Sequence, residues 1–358
     1  MGFRSVVSGS LDGIFKLYKR CVKLKTKYAH RIKTNSWCRK NRHKLTAAQL
    51  NEAKDYWRRF TKEYSANFCK RFSTVNGTFD VRYIPEDLYF NIIEPYLNNH
   101  QQTFGNKSYF PMMFDCKMPE IVFSRVNGIY LSPSFELITE EEALRRCFGY
   151  DAVIFKPSVD SCGGKNVKIF ETGDPSGIRK AFDEYSGFPY YVVQNVIRQH
   201  AKISAIHSAS VNTIRIMTLL INGKIVILPP VLRMGVNNSR VDNASSGGIV
   251  CGILPDGRLK ACAYSAAGVR FDRHPQGFEF GKGHIPSIDA AEEMVRRIAQ
   301  KFPDHRLIAW DIAIDEDGEP ILIEANVNHG QIDFMQFNNG PLFGDYTDDV
   351  LKEVFQKK

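Results

Sequence analysis

Two runs near the end of the chain decide the fold: Leu307-Ile-Ala-Trp310-Asp311-Ile-Ala-Ile314 and Ile321-Leu-Ile-Glu324-Ala-Asn326, joined through Asp317-Gly318. Each is rich in aliphatic residues, and Asp-Gly is a strong turn signal between strands. With a two-residue turn at Asp317-Gly318, Glu316 faces Glu319. Counting back, 315 faces 320, 313 faces 322, and Asp311 faces Glu324. Side chains alternate faces with a period of two, so Asn326 shares the face of Glu324. Two carboxylates directly opposite on a sheet repel. Neighbours such as Trp310, Ile312, Ile314 and Leu322 make the hairpin too apolar for water to disperse that charge. A shared hard cation removes the repulsion. Two carboxylates and an amide oxygen suit Mg²⁺, so Asp311, Glu324 and Asn326 are the candidate metal ligands.

Working outward, Phe155-Lys156-Pro157-Ser-Val-Asp-Ser-Cys162-Gly163-Gly164-Lys165-Asn166-Val167 reads as a strand ending in a lysine, a small-residue loop, and a resumed strand. Glycines let backbone N–H groups approach phosphate oxygens. There is no G-K-[ST] and no following helix, which excludes a Walker loop. Between this loop and the hairpin lie Arg215, in Asn212-Thr-Ile-Arg-Ile, and Arg233, in Val231-Leu-Arg-Met-Gly. Asn243 and Gly247-Gly248 come after them. Arg215 points away from the face of Ile214 and Ile216. An arginine held in a strand suits bidentate capture of carboxylate or phosphate.

The remaining pattern predicts an α+β chain. Thr46 opens a helix whose apolar stripe continues through Trp57, Phe60 and Tyr64, and Pro85 stands in the first turn of another, which Asn98-Asn99 ends. Strands are expected at Val153–Lys156, 167–170 and 191–196, with a helix from Asp174 to Tyr185. Ile214–Ile221 and Lys224–Val231 flank Asn222-Gly223 as a hairpin, and a helix covers 288–302. Residues 1–44 read as a basic arm, 45–120 as a mainly helical region, and 121–358 as the main domain. That domain divides near 196 into a glycine-loop subdomain (121–196) and a metal-site subdomain (197–358).

Composition is that of an ordinary globular chain: 358 residues, 43 % hydrophobic and 24 % charged. The net charge of +9 is uneven. Residues 1–45 hold 13 Lys and Arg against the single acid Asp12, which leaves the other 313 residues at −3. A nearly neutral body excludes nucleic-acid binding as the main task. The arm has Leu11, Ile14, Phe15, Tyr18 and Val22 at helical spacing among its lysines, as in a basic amphipathic helix that contacts an anionic membrane surface, or in an extension that packs one stripe on the body. The longest aliphatic stretch, Ile225–Leu232, contains two prolines, and nothing approaches the ~20 apolar residues of a membrane helix. With no apolar signal core at the N-terminus, the expected compartment is cytoplasmic, with the arm reaching the inner membrane face. The eight cysteines form no C-x-x-C pair and are expected to be reduced thiols. His200, His207, His274, His284 and His329 do not pair at ligand spacing. His329, just beyond the metal motif, is a candidate substrate contact.

In this order Lys156-Pro, a glycine loop, a strand at 191–196, an arginine-bearing hairpin and Asp…Glu-x-Asn resemble the ATP-grasp superfamily over about 107–330. Asn212-Thr-Ile-Arg-Ile, Arg233…Val241-Asp-Asn…Gly247-Gly and Ala309-Trp-Asp-Ile-Ala-Ile…Leu322-Ile-Glu-Ala-Asn look like its sugar-transfer-associated branch, linked to bacterial surface polysaccharides. The resemblance implies two α+β subdomains with antiparallel sheets that clamp ATP, and Mg²⁺ on Asp311, Glu324 and Asn326. Lys156 matches the lysine near adenine and the α-phosphate. Lys107, in Gly105-Asn-Lys-Ser before Met118-Pro, matches an earlier phosphate lysine. Gly163 and Gly164 match the lid, and Gln194 to Ile197, with Gln194 and Val196 as its contacts, the hinge that bonds adenine. Two departures stand out. Gln194 and Asn195 replace a hinge glutamate, and Ala309 stands where many ligases place an arginine, so Arg215 or Arg233 is the candidate to face the reacting oxyanion. The implied activity is ATP-dependent ligation of a small carboxylate, sugar-linked or not, to an amine through an acyl phosphate. A phosphotransferase acting on a hydroxyl and a non-catalytic nucleotide-binding scaffold are the alternatives.

Overall fold

The computed structural model describes residues 3–98, 103–159, 165–237, 239, 242, 247–328 and 330–356; the side chains before Cys21, and that of Lys23, lie outside the description. The chain divides into two compact units, one of residues 1–99 with 331–358, the other of residues 100–330.

The first unit is helical. α1 (Phe3–Lys40) is one uninterrupted helix of 38 residues. α2 (Ala47–Arg58) opens with a full capping box, in which the Thr46 hydroxyl accepts from the Gln49 N–H and the Gln49 side chain accepts from the Thr46 N–H. Such a cap contributes about 1 kcal/mol. α3 (Ala66–Asn76) stops at Gly77, whose φ of 79° is left-handed. Pro85 caps α4 (Glu86–Leu88) rather than entering its first turn as expected. The helix then widens into a π turn at Tyr89–Ile93 before α5 (Glu94–Leu97). Pro95 accounts for the widening: it has no N–H to donate, and its ring crowds the carbonyl four residues back. The arm expected over 1–44 is not separate from this unit. Lys27 pairs with Glu63 at 2.8 Å and Arg31 with the buried Asp87 at 2.6 Å, while Thr34 is wholly buried.

The second unit carries both sheets. A 3₁₀ turn at Lys107–Tyr109 and α6 (Phe110–Met113) lead into it. The first sheet, in the order β2-β1-β5-β3-β4, joins β1 (Ile121–Val126), β2 (Ile129–Leu131), β3 (Ala152–Pro157), β4 (Lys168–Glu171) and β5 (Tyr191–Asn195), all antiparallel. α7 (Glu140–Cys147) and α8 (Pro175–Tyr185) cover one face, where Val153, Phe155, Tyr191 and Val193 meet Ile178 and Phe182. Alternation therefore sends Lys156 and Gln194 to the opposite face.

After α9 (Ala201–Ser204), the second sheet has the order β10-β9-β8-β7-β6-β11-β12. It comprises β6 (Ile214–Ile221), β7 (Lys224–Met234), β8 (Ile249–Ile253), β9 (Leu259–Ser265), β10 (Arg270–Phe271), β11 (Leu307–Ile314) and β12 (Pro320–Asn326), again antiparallel. α10 (Ile288–Ala299) packs Met294, Val295 and Ile298 with Trp310, Ile312, Ile214 and Leu232 on one face. Arg215, Arg233, Asp311 and Glu324 consequently share the other.

Two turns set the register. Asn222 and Gly223 have φ of 51° and 71°, the left-handed pair that a two-residue hairpin requires, and Ile221 pairs with Lys224. Past Pro229-Pro230 the register slips, since prolines cannot donate to the ladder. The β11–β12 turn is longer than expected. Asp315, not Glu316, faces Glu319, because the Asp315 carboxylate accepts the N–H groups of Asp317 and Glu319 and orders a three-residue loop. An extra residue, Ile323, then restores the expected facing of Asp311 and Glu324.

The last stretch returns to the first unit, not to the main domain expected to run to 358. α11 (Asp333–Asn339) and α12 (Thr347–Phe355) pack there. Buried Arg71 donates to Glu86 at 2.6 Å and to Asp333 at 3.4 Å, and the Gln336 side chain bonds both backbone groups of Ile84.

Candidate active site

The centre of the candidate site is Asp311. On β11 it faces Glu324 of β12 on one side and Arg215 of β6 on the other. Arg215 donates to Asp311 Oδ1 from Nε at 2.5 Å and to Oδ2 from Nη2 at 2.9 Å; Arg233 donates from Nη1 to Oδ2 at 2.8 Å. All three residues are buried, with exposures of 4 to 8 %. Burial alone would push the Asp311 carboxyl up, but the two guanidiniums outweigh it and hold it at about 2. Arg233 also reaches Asp242 at 3.5 Å, and its own pKa is raised by Asp242 and Asp311 against the cost of burial. Asp242 is in turn held by the backbone N–H of Thr213 at 3.1 Å and by its hydroxyl. Sequence reasoning did not single out Asp242 or Thr213; their only signal is proximity to the arginine motifs.

Glu324 is met by Lys107 at 2.9 Å. Lys107 is placed by its 3₁₀ turn, where Asn106 caps the Ser108 N–H and the Lys107 N–H donates to Ser158 O at the end of β3. Asn326 lies opposite Ala309, on the face of Glu324. The repulsion expected between Asp311 and Glu324 is thus answered by protein cations on each carboxylate. An oxygen-rich cation site still fits. The Asp311 oxygens have about four acceptor positions and take three N–H donors, which leaves Oδ1 one position beside the Glu324 and Asn326 oxygens. Among the described residues no group of three His, Cys, Asp or Glu could hold a metal.

On the first sheet Lys156 faces Val192, and Gln194 faces Ile154. Burial, with Lys107 adding to it and Glu324 opposing, lowers the Lys156 pKa to about 8. It has no ion pair among the described residues. The Gln194 Nε2 donates to Pro119 O at 3.2 Å, leaving Oε1 buried without a donor. Asn195 Oδ1 and the hydroxyls of Ser108 and Ser158 are also buried without partners among the described residues. The two amide oxygens lie beside Val196 and the two hydroxyls near Lys107, and they fit a nucleotide whose amino group donates to the amide oxygens and whose phosphates accept from the hydroxyls. Gly163, Gly164, Asn243 and His329 lie outside the described residues. A cavity of about 330 Å³ between Pro157, Lys165, Phe188 and Tyr190 sits at the far end of β5 from Gln194, apart from these groups.

The histidines do come together in one place. The His207 and His274 ring centroids are 5.4 Å apart, but His207 bonds Ser210 and Asn237 O, and His274 bonds Gly235 O and the Gln276 N–H. With every ring nitrogen engaged, they anchor the start of the loop after β7. The seven described cysteines are free thiols.

A profile of the sugar-transfer associated ATP-grasp family matches residues 137–350, beginning later and ending further on than the motifs alone implied. No curated protein matches the chain. Among solved structures, D-alanyl-alanine synthetase A from Vibrio cholerae is 11 % identical with a TM-score of 0.40, over 72 % of this chain and 66 % of that one. The biotin carboxylase domain of the Hydrogenobacter thermophilus 2-oxoglutarate carboxylase is 15 % identical with a TM-score of 0.44, over 72 % and 46 %. Phosphoribosylamine–glycine ligase from Thermotoga maritima is 16 % identical with a TM-score of 0.43, over 72 % and 56 %. The aligned part therefore spans less than two thirds of each of those chains. Since the family profile accounts for more than half of the residues, the chain belongs to the sugar-transfer associated ATP-grasp family.

Proposed function

We propose that the chain is an ATP- and Mg²⁺-dependent, ADP-forming carboxylate–amine ligase. We place it in surface or capsular polysaccharide synthesis on the cytoplasmic side of the membrane, with a small carboxylate and a small amine, one of them sugar-linked, as substrates. The observation that carries the reading is the arrangement of charge within the second unit. On the second sheet Lys107 sits on Glu324 and Asp311 lies under Arg215 and Arg233, while Lys156 on the first sheet has no ion pair among the described residues. Lys156 and Lys107 neutralise the polyphosphate, and Gln194 Oε1 accepts from the adenine amino group while its Nε2 stays on Pro119. Glu324 and Asn326, with Asp311, would hold Mg²⁺, which would spread phosphate charge. Arg215 stands cross-strand from Asp311 and supplies the guanidinium that Ala309 cannot. Its free N–H groups and those of Arg233 orient the substrate carboxylate and stabilise the developing oxyanion. The carboxylate oxygen attacks the γ-phosphorus and ADP leaves; the amine then attacks the acyl carbon and phosphate leaves, giving the amide. Positioning and electrostatics do this without a protein nucleophile.

The test is a screen of ATP consumption against pairs of acids and amines, with products identified by mass. An amide with free phosphate supports the ligase. A phosphoester would replace it with transfer to a hydroxyl, and nucleotide binding without turnover of any pair would leave only a nucleotide-binding scaffold.

A further inference from the structure

α1 is amphipathic in the inverse sense. The residues that it turns onto the first unit are polar: Lys27 pairs with Glu63 and Arg31 with Asp87, His30 Nδ1 lies 3.5 Å from Glu86, and Thr34 is buried. Large apolar residues, beside lysines, are turned outward. Leu24, Tyr28 and Ile32 are 42, 57 and 62 % exposed, and nearby Val22 is 45 % exposed. A helix on a protein surface normally buries its apolar stripe and shows its charges. Single exposed apolar side chains need no explanation, but spacing of four puts these three in one row along the helix.

Charge decides what covers the row. Lys25 is exposed, and the helix ends in Arg39 and Lys40. In the sequence no acid follows Asp12 until Glu52, while Lys16, Lys19, Arg20 and Lys23 precede the row, and Ile14, Leu17 and Cys21 continue its spacing. A second copy of the chain would bring its own strongly positive segment against this one, and like charges oppose that contact. An anionic lipid surface satisfies both features: apolar side chains enter between headgroups while lysines and arginines meet the phosphates. Among the described residues no helix is long and apolar enough to cross a membrane, so the contact is interfacial. We infer that the outward face of α1, centred on Leu24, Tyr28 and Ile32, docks the protein on an anionic bilayer.

This inference stands independently of the ligase chemistry. The experiment uses the full chain with phosphatidylcholine vesicles, with and without phosphatidylglycerol. The chain sediments with the mixed vesicles and not with phosphatidylcholine alone, and high salt releases it. A Leu24→Ser, Tyr28→Ser, Ile32→Ser variant partitions at least about tenfold more weakly with an unchanged unfolding temperature, since the three side chains are exposed. Lys25→Glu, which leaves the row intact, weakens the salt-sensitive part by about fivefold or more. Equal sedimentation of wild type and both variants would overturn the inference, as would no sedimentation of the wild type. A lipid-free dimer that the triple variant abolishes would overturn it too, by showing that a second copy covers the row.

Discussion

Glu324 and Asp311 face each other yet respond differently to loss of charge. Glu324 is partly exposed and has one lysine partner, so Glu324→Gln keeps the fold while turnover drops by at least about 100-fold, as expected for a ligand of a phosphate-bound cation. Near-normal turnover in that variant would refute the assignment. Asp311→Asn acts on stability, because it takes the shared carboxylate from two buried guanidiniums and leaves only Arg233 with another acid, Asp242, among the described residues. The expected loss is about 3–5 kcal/mol, read from the denaturant midpoint; a loss near zero would mean that the arginines reach solvent unaided. Lys156 has a cost that depends on pH. Its folded pKa is about 8 against 10.5 unperturbed. Below pH 8 both folded and unfolded chains carry the proton, and the folded state bears the whole penalty of a poorly solvated ammonium. Between pH 8 and 10.5 only the unfolded chain keeps it, so stability rises with pH and the penalty fades. Lys156→Met therefore stabilises by about 2–3 kcal/mol at pH 7, a gain that shrinks toward pH 10, while nucleotide affinity falls. A gain that is flat across this range would show that the ammonium is well solvated.

At the scale of elements, turns test the hairpin that carries the site. Gly318 has φ 86°, and a Cβ there would meet nothing closer than Ser287 Oγ at 3.6 Å. Gly318→Ala therefore costs only backbone strain, about 1 kcal/mol; a cost several times larger, measured by thermal unfolding, would point to a clash. Local signals were legible where local chemistry decides: the Thr46 cap, the Asn222-Gly223 turn, and the alternation that gathers Asp311, Glu324 and Asn326. The register of β11 with β12 was right at Asp311 although the turn was one residue out, because the Asp315 side chain reshapes the loop and the bulge at Ile323 compensates. Neither device has a sequence signature. β1 and β2, and β8 to β10, were missed: β1 and β9 are broken by residues such as Arg125 and Lys260, β2 and β10 are only three and two residues long, and β8, though wholly buried, is a five-residue run interrupted by Gly252. The grip of Arg215 and Arg233 on Asp311 was also illegible. It depends on β6 pairing with β11 across 96 residues, which no local pattern encodes.

At the scale of the molecule, the arm is the part whose reading changed most. Removal of residues 1–44 strips Asp87 of Arg31 and Glu86 of His30 and Lys33, leaving buried acids under-compensated. That truncation should lower the unfolding midpoint markedly, and an unchanged midpoint would mean that α1 contributes nothing to its unit. The first unit is also built from both ends of the chain. Arg71 reaches Asp333 across 262 residues, and Ile84 is held by Gln336 across 252. On the ribosome the first four helices therefore emerge long before the segment that completes them. Until then Arg71 lacks one of its two acids, Ile84 lacks its amide clamp, and Phe72 lacks the ring of Phe337. Both sheets, by contrast, lie wholly within the intervening stretch and can form first. Synthesis order is thus inverted relative to folding order. The N-terminal helices therefore complete their core only once residues 331–356 have been made.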